Sequence, residues 1–184
     1  HLHNIHGYYL NYPIFFDFLK NNFKGQIIWT LHDCWPYTGH CSYYTFSNCR
    51  KWTTQCNNCP HINEYPRSYF FDNSYNNYEI KKNSFNGINR IHLVTPSEWL
   101  KRELKQSFLS NYPISVINNG IDKSVFMPKK SNFKAKYKLD DKFVILGVAN
   151  IWEKRKGRDL FYDLSMIIPP DLHIVLLGKS DFKF

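Results

Sequence analysis

Three consecutive cations, Lys154, Arg155 and Lys156, lie between an apolar run and a glycine. The run, residues 143–149, has the length and composition of a strand that is buried on both faces. After Gly157 apolar residues recur at helical spacing, which predicts a helix whose first N–H groups lack backbone partners. Cations at such a helix start favour phosphate binding, although basic runs are also typical of solvated surface loops.

The four cysteines Cys41, Cys49, Cys56 and Cys59 lie close together in residues 34–74, a segment with neither helical nor strand periodicity. Four thiolates can hold a structural zinc ion, and we expect this insertion to be held by something other than a core. Reduced thiols and disulfides are the alternatives. A redox role for the C-x2-C pair is less expected, because such pairs normally open a helix after a strand.

His32 and Asp33 follow directly on a predicted strand at residues 26–31. In open parallel sheets ligands bind at the carboxyl ends of strands, so His32 is a candidate binding residue, with a structural histidine as the alternative. Asp33 would either orient that imidazole or cap a turn. Residues 118–120 (NNG) predict a turn with positive φ first and a ligand contact second.

Strands and helices alternate along the chain, which predicts an α/β fold with parallel sheets covered by helices. Further strands are predicted at residues 91–95, 114–118 and 172–178, and helices at 12–23, 75–88, from Ser97 onward, and at 158–168. Residues 121–142 are rich in lysine and form a candidate boundary. The order of strand, helix and strand then begins again, as if a second sheet started there.

The composition is that of a globular protein, with 184 residues, 43% hydrophobic residues and a net charge of +9. A basic balance fits nucleic acid, an anionic membrane or phosphorylated ligands. No apolar run is long enough to span a membrane. Five cysteines and no Asn-x-Ser/Thr site favour a reducing cytoplasm. Both ends of the sequence suggest a central piece of a longer protein.

Five short motifs occur in the order found in family 4 glycosyltransferases. They are residues 1–4 (HLHN), 30–33 (TLHD), 94–97 (VTPS), 116–122 (VINNGID) with Phe126 and Pro128, and 155–157 (RKG). The chain is most similar to the bacterial colanic acid and exopolysaccharide type, which shares the Cys-rich insertion. The resemblance implies a GT-B architecture, in which two Rossmann-like domains face each other across a cleft.

The resemblance also implies how the chain divides. Residues 1–122 would form the later part of the N-terminal, acceptor-side domain, with the insertion at 34–74. Residues 123–142 would be the interdomain linker, and 143–184 the start of the C-terminal, donor-binding domain. The paired glutamates and the glycine-rich loop of the family would lie outside this sequence, so we expect the chain alone to be inactive.

The function implied by the resemblance is retaining transfer of a sugar, hexosyl in type, from a nucleotide-diphosphate donor to a saccharide or lipid-linked acceptor. No catalytic metal is expected. His32 matches the histidine that contacts the donor sugar, and Lys156, with Arg155, matches the donor phosphate site. Asn150 stands where the family usually has an arginine. The expected acceptor-side residues are His6, Gly7, Asp33, Ser97, Asn119 and Gly120.

Two other interpretations stay open. One is a zinc-stabilised, basic nucleic-acid-binding module, although between Cys49 and Cys59 the only cations are Arg50 and Lys51. The other is a catalytically inactive homologue of a glycosyltransferase. For the favoured enzyme we expect no nucleic acid partner and a cytoplasmic location, with peripheral association at the inner face of the membrane as a further option.

Overall fold

The computed structural model describes residues 1–7, 9–63 and 65–179. The chain divides into two compact units, His1–Gly120 and Ile121–Phe184. The first unit therefore ends two residues before the predicted first domain, and the lysine-rich segment belongs to the second. Along the part of the chain that is described, no helix is both long enough and apolar enough to cross a membrane.

The first unit contains a parallel sheet of three strands in the order β1 (Ile27–Thr30), β2 (Ile91–Thr95) and β3 (Ile114–Val116). Ile27 aligns with Ile91, and Leu93 aligns with Ile114. Leu2 forms a parallel bridge with Trp29, so the first residues of the chain run beside β1 as a short extension of the sheet. The three predicted strands of this unit are confirmed.

Three helices accompany this sheet, α1 (Tyr12–Asn21), α2 (Ser74–Phe85) and α3 (Glu98–Leu104). The Asn11 side chain caps α1 by accepting a hydrogen bond from the backbone N–H of Ile14 at 3.2 Å. The Ser97 hydroxyl caps α3 in the same way, as predicted. α2 ends three residues before its predicted end, because Gly87 follows with a φ of +85° that a helix does not allow.

Aromatic side chains fill the core of the first unit. Phe85 of α2 is fully buried, and its ring lies 4.6 Å from that of Phe16 and 5.0 Å from that of Trp29. The insertion joins the same core through Trp35, Tyr37, Tyr44 and Trp52, and its described residues before α2 form three short 3-10 turns. The expectation that the insertion lacks a core was wrong. Its buried aromatic residues follow no regular period, so periodicity could not reveal them.

The second unit contains α4 (Phe133–Lys136), β4 (Phe143–Ile151), α5 (Arg158–Ser165) and β5 (Leu172–Lys179). β4 and β5 pair in parallel, so this unit too is α/β with the predicted order of strand, helix and strand. Parallel strands with intervening helices fit a Rossmann-like fold in both units.

The expected burial of β4 on both faces was wrong. Leu146 is 62% exposed and Val148 is 66% exposed. Within the residues described, β5 is the one strand paired with β4, and Phe161 of α5 packs against Gly147 in the middle of β4. With one neighbouring strand and one helix, much of the surface of β4 stays open to solvent.

Candidate functional site

The basic run of the second unit forms a 3-10 turn, Lys154–Lys156, directly after β4. Gly157 has a φ of +78°, ends this turn and is also the N-cap residue of α5. No side chain caps α5, and the backbone N–H of its first residue, Arg158, donates to the Glu153 carbonyl at 3.4 Å. The turn thus brings three cations to an uncapped helix start, the arrangement predicted from the sequence for an anion.

The cations in this turn and at the start of α5 differ in whether a carboxylate is paired with them. Arg155 donates to the Glu153 carboxylate at 2.5 Å, and Arg158, the first residue of α5, donates to Asp159 at 2.8 Å. Lys154 and Lys156 are exposed. The backbone of both lysines is hydrogen-bonded within the turn, but neither side-chain ammonium has a hydrogen bond or ion pair with the residues that the structure describes. These two ammonium groups are therefore the charges that a phosphate would meet without competition from a carboxylate.

Trp152 fixes the start of this turn. Its side chain is 5% exposed, its ring packs edge-on against Phe161 of α5, and its backbone N–H donates to Lys179 at 2.8 Å. Its indole N–H also donates to the Leu177 carbonyl at 3.2 Å. Sequence reasoning missed this residue, although a large aromatic side chain within a polar loop was a usable signal.

Asn150 lies in a β-bulge at the end of β4. Val148 aligns with Leu177 and Ile151 with Lys179, so β4 carries one extra residue between these pairs. Gly178 opposite has a φ of +139°, and a Cβ atom there would lie 1.8 Å from the Ala149 carbonyl oxygen. The bulge therefore depends on glycine in β5, and it presents Asn150 on the surface before the basic turn.

At the carboxyl edge of the first sheet, His32 pairs with another histidine. Nε2 of His32 lies 3.0 Å from Nδ1 of His3, and the two rings are stacked 5.3 Å apart. Nε2 of His1 lies 2.8 Å from the Thr30 hydroxyl. His1 and His3 alternate along the extension beside β1, where residues 1–4 are expected to end a strand, so strand periodicity places both side chains on one face.

Asp33 turns away from His32. Its Oδ2 lies 2.8 Å from Nε2 of His6, and its Oδ1 accepts the backbone N–H of Trp35 at 3.0 Å. Of the two predicted roles, turn capping is confirmed. The other predicted role, in which Asp33 orients the imidazole of His32, was wrong, because the Asp33 carboxylate contacts the imidazole of His6 instead. Both Asp33 and His6 are largely buried, which strengthens a pair that water would otherwise screen.

The predicted acceptor-side residues fall into separate places. His32, Asn119 and Gly120 line one open surface depression of about 630 Å³ at the sheet edge. His6 and Gly7 line another cavity, and the Ser97 hydroxyl is engaged in capping α3. The expected positive-φ turn at residues 118–120 was wrong. Neither Asn119 nor Gly120 has a positive φ, because the chain continues extended and the Asn118 side chain donates to the Pro96 carbonyl at 2.9 Å.

All five cysteines carry free thiols, and the four of the predicted zinc site line one small cavity. The hydrogen bond with Cys41 lowers the pKa of Cys59 to about 7, while burial raises the pKa of Cys56 to about 11. The Gly39 N–H donates to the Cys56 sulfur at 3.2 Å. Across the described ranges, no three His, Cys, Asp or Glu side chains are arranged to hold a metal ion. Zinc binding stays a prediction.

Comparison with known proteins gives one informative match. Over 131 residues, 66% of this chain, the sequence is 31% identical to WcaC of Escherichia coli (strain K12), a protein named as a colanic acid biosynthesis glycosyl transferase. The match supports a glycosyltransferase relationship. The aligned segment covers 31% of that protein's length, so this chain spans about a third of its relative. The nucleic-acid-binding alternative is not favoured.

Two further comparisons gave no match. No protein-family model matches the chain. No solved structure matches it either.

Proposed function

We propose that the protein is a retaining, hexosyl-type glycosyltransferase of family 4 with GT-B architecture. It moves a sugar from a nucleotide-diphosphate donor to a saccharide or lipid-linked acceptor during polysaccharide biosynthesis. The observation that carries the proposal is the basic turn Lys154–Lys156 before the uncapped start of α5. The ordered motifs and the similarity to WcaC support it. A cytoplasmic location, with peripheral contact to the membrane, belongs to the same proposal.

The turn suits the charge that develops in such a reaction. When the bond between the anomeric carbon and the diphosphate breaks, negative charge grows on the leaving phosphate. Lys156 and Lys154, together with the N–H groups of α5, stabilise that charge more in the transition state than in the bound donor. This difference accelerates the reaction, and in the proposal the lysines take the role that a divalent ion has in other transferases.

His32 is proposed to contact the donor sugar. Its Nε2 is engaged by His3, and among the residues described here Nδ1 of His32 has no partner, so Nδ1 is the nitrogen left for a ligand. Two imidazoles joined by one hydrogen bond share a single proton between the facing nitrogens. The tautomers of His3 and His32 are therefore linked, and His3 belongs to the proposed site as a positioning residue.

Calorimetric titration with UDP, GDP and ADP tests the donor site. For the nucleotide that binds, Lys156→Ala should weaken binding by about 1.5–3 kcal/mol, the range for a hydrogen bond to a charged group, or roughly 10- to 150-fold in Kd. Lys130→Ala is the matched control, because Lys130 is an exposed lysine of the same unit outside the turn. Equal affinity of the Lys156→Ala variant and the unchanged protein, or no binding of any of the three nucleotides, would contradict the proposal.

A further inference from the structure

A second polar cavity lies in the first unit, where the insertion meets α2. Its volume is about 250 Å³, below the range of roughly 300–1,000 Å³ typical of drug-sized ligands, so it suits a group the size of one sugar ring. We call it the insertion pocket, and the residues that decide its chemistry are His6, Trp35, His40, Arg67, Asn77 and Lys81. The depression that contains His32 shares none of these residues.

Lys81 is the buried cation of the insertion pocket. Its ammonium donates to the carbonyls of Trp35 at 2.8 Å and Thr38 at 2.9 Å, and it lies 3.6 Å from the centre of the Trp35 ring. These contacts hold the side chain in one position. A lysine is rarely buried so completely without a carboxylate in direct contact, and among the described residues the ammonium of Lys81 is hydrogen-bonded to carbonyls alone.

Arg67 is a second cation at the same pocket. Its guanidinium is exposed and lies 5.0 Å from the centre of the Tyr69 ring. No carboxylate is among the described residues that line the pocket. Two carboxylates of the same unit hold donors of their own, since Asp33 is bound to His6 and Asp72 accepts the backbone N–H groups of Cys59 and Ser74. Among the described residues that line the pocket, Arg67 and Lys81 therefore have no carboxylate that competes with an anionic ligand.

His40 adds an unsatisfied polar atom. The residue is 8% exposed, it lines the pocket, and its Nε2 has no hydrogen-bond partner. Burial lowers the pKa of His40, so the ring is neutral, and Nε2 of a neutral imidazole can accept a hydrogen bond. A buried nitrogen without a partner is costly, and a ligand hydroxyl would satisfy it.

We propose that the insertion pocket binds a sugar ring that carries an acidic group, a carboxylate or a phosphate. The acid lies between Arg67 and Lys81, a ring hydroxyl donates to Nε2 of His40, and the amide of Asn77 offers further hydrogen bonds. The inference rests on the proposed function in one respect: the acidic sugar would then be part of the acceptor. Its binding requires neither the donor nor the basic turn.

The test is a set of calorimetric titrations of the protein with glucuronate, glucose 1-phosphate and glucose. Glucuronate, glucose 1-phosphate or both should bind at least tenfold more tightly than neutral glucose, and which one binds identifies the acid. Arg67→Ala should weaken that binding about tenfold, as expected for a lost charge-assisted contact. Arg102→Ala, which removes an exposed arginine of α3 in the same unit, should leave it unchanged.

Three results would overturn the inference: equal binding of glucose, no binding of either acidic sugar, or equal losses in the two arginine variants. His40→Gln provides a check that does not depend on charge, because glutamine keeps an acceptor and should retain more affinity than His40→Leu. Nucleoside diphosphate titrations of the unchanged protein separate the two proposals, because nucleotide binding without binding of either acidic sugar refutes the insertion pocket alone. In the Arg67→Ala variant, nucleotide binding should persist while binding of the acidic sugar weakens.

Discussion

The buried ammonium of Lys81 makes a strong prediction about the pH dependence of stability. Burial lowers the pKa of Lys81 from 10.5 to about 7. Between these values the unfolded chain holds a proton that the folded chain has released, so the free energy of unfolding should rise with pH through this window. Below about pH 7 the lysine is protonated in both states, and the full cost of burying its charge is present.

The magnitude follows from the size of that shift. A fall in the pKa of Lys81 from 10.5 to about 7 corresponds to ~5 kcal/mol over the whole window. Because the folded-state lysine is already half deprotonated at pH 7, the part between pH 7 and pH 9 is ~2 kcal/mol. The two carbonyls and the Trp35 ring favour the ammonium, so ~2 kcal/mol is an upper limit. In the Lys81→Met variant the same carbonyls lose their donor, but that loss is equal at every pH.

Urea unfolding at pH 7, 8 and 9 under reducing conditions measures the effect. The stability of the unchanged protein minus that of the Lys81→Met variant should grow with pH, by up to ~2 kcal/mol between pH 7 and pH 9. Lys82→Met, an exposed neighbour on α2, is the control and should give a constant difference. The nearby groups Asp33, His40, Cys41 and Cys56 are common to both proteins and cancel to first order. A Lys81→Met difference that is the same at pH 7 and pH 9 would refute the reasoning.

Two further predictions concern the insertion and the core. One prediction is that the four cysteines Cys41, Cys49, Cys56 and Cys59 hold a zinc ion. Elemental analysis of the reduced protein should then find about one zinc per chain, and the zinc should be released as the thiols are titrated with a mercurial reagent. A zinc content near zero with four freely titratable thiols would reject the site. Phe85→Ala should lower the free energy of unfolding in urea by about 3–5 kcal/mol, because the ring is fully buried among other aromatic rings. The control Phe71→Ala, at a side chain 82% exposed, should change it by about 0.5 kcal/mol or less, and equal losses would contradict this account.

Local patterns predicted the parts of this chain that depend on neighbours in sequence. β2 was predicted to the residue, and the Ser97 cap of α3 was predicted from one side chain before an apolar stripe. The basic turn was found for the same reason, since strand, cations, glycine and helix follow one another within 15 residues or so. Each of these features is decided by backbone hydrogen bonding and side-chain spacing along one short segment.

The features that were missed depend on residues far apart in sequence. The contact between Asp33 and His6 joins residues 27 positions apart in the sequence. The hydrogen bond from the Lys81 ammonium to the Trp35 carbonyl joins residues 46 positions apart. Neither partner carries a local signal, because an isolated histidine or lysine is usually a surface residue. The core of the insertion was also missed because its contacts join residues far apart in sequence. Its aromatic residues become buried only when α2 and the sheet edge are both in place.

At Asn150 the chain departs from the pattern of the family that it resembles, and contacts in the second unit indicate which residue could supply the missing charge. The resemblance places an arginine near this position, and either Arg155 or Lys154 could supply the missing charge. Arg155 is paired with Glu153 at 2.5 Å, so much of its charge is already neutralised, and moving it to a phosphate would break that pair. Lys154 is exposed and lies at the first position of the turn, next to the residues that Trp152 fixes. We therefore infer that Lys154, with Lys156, carries the charge that the family places on arginine. We also infer that the bulge at Asn150 sets the direction in which the chain enters that turn.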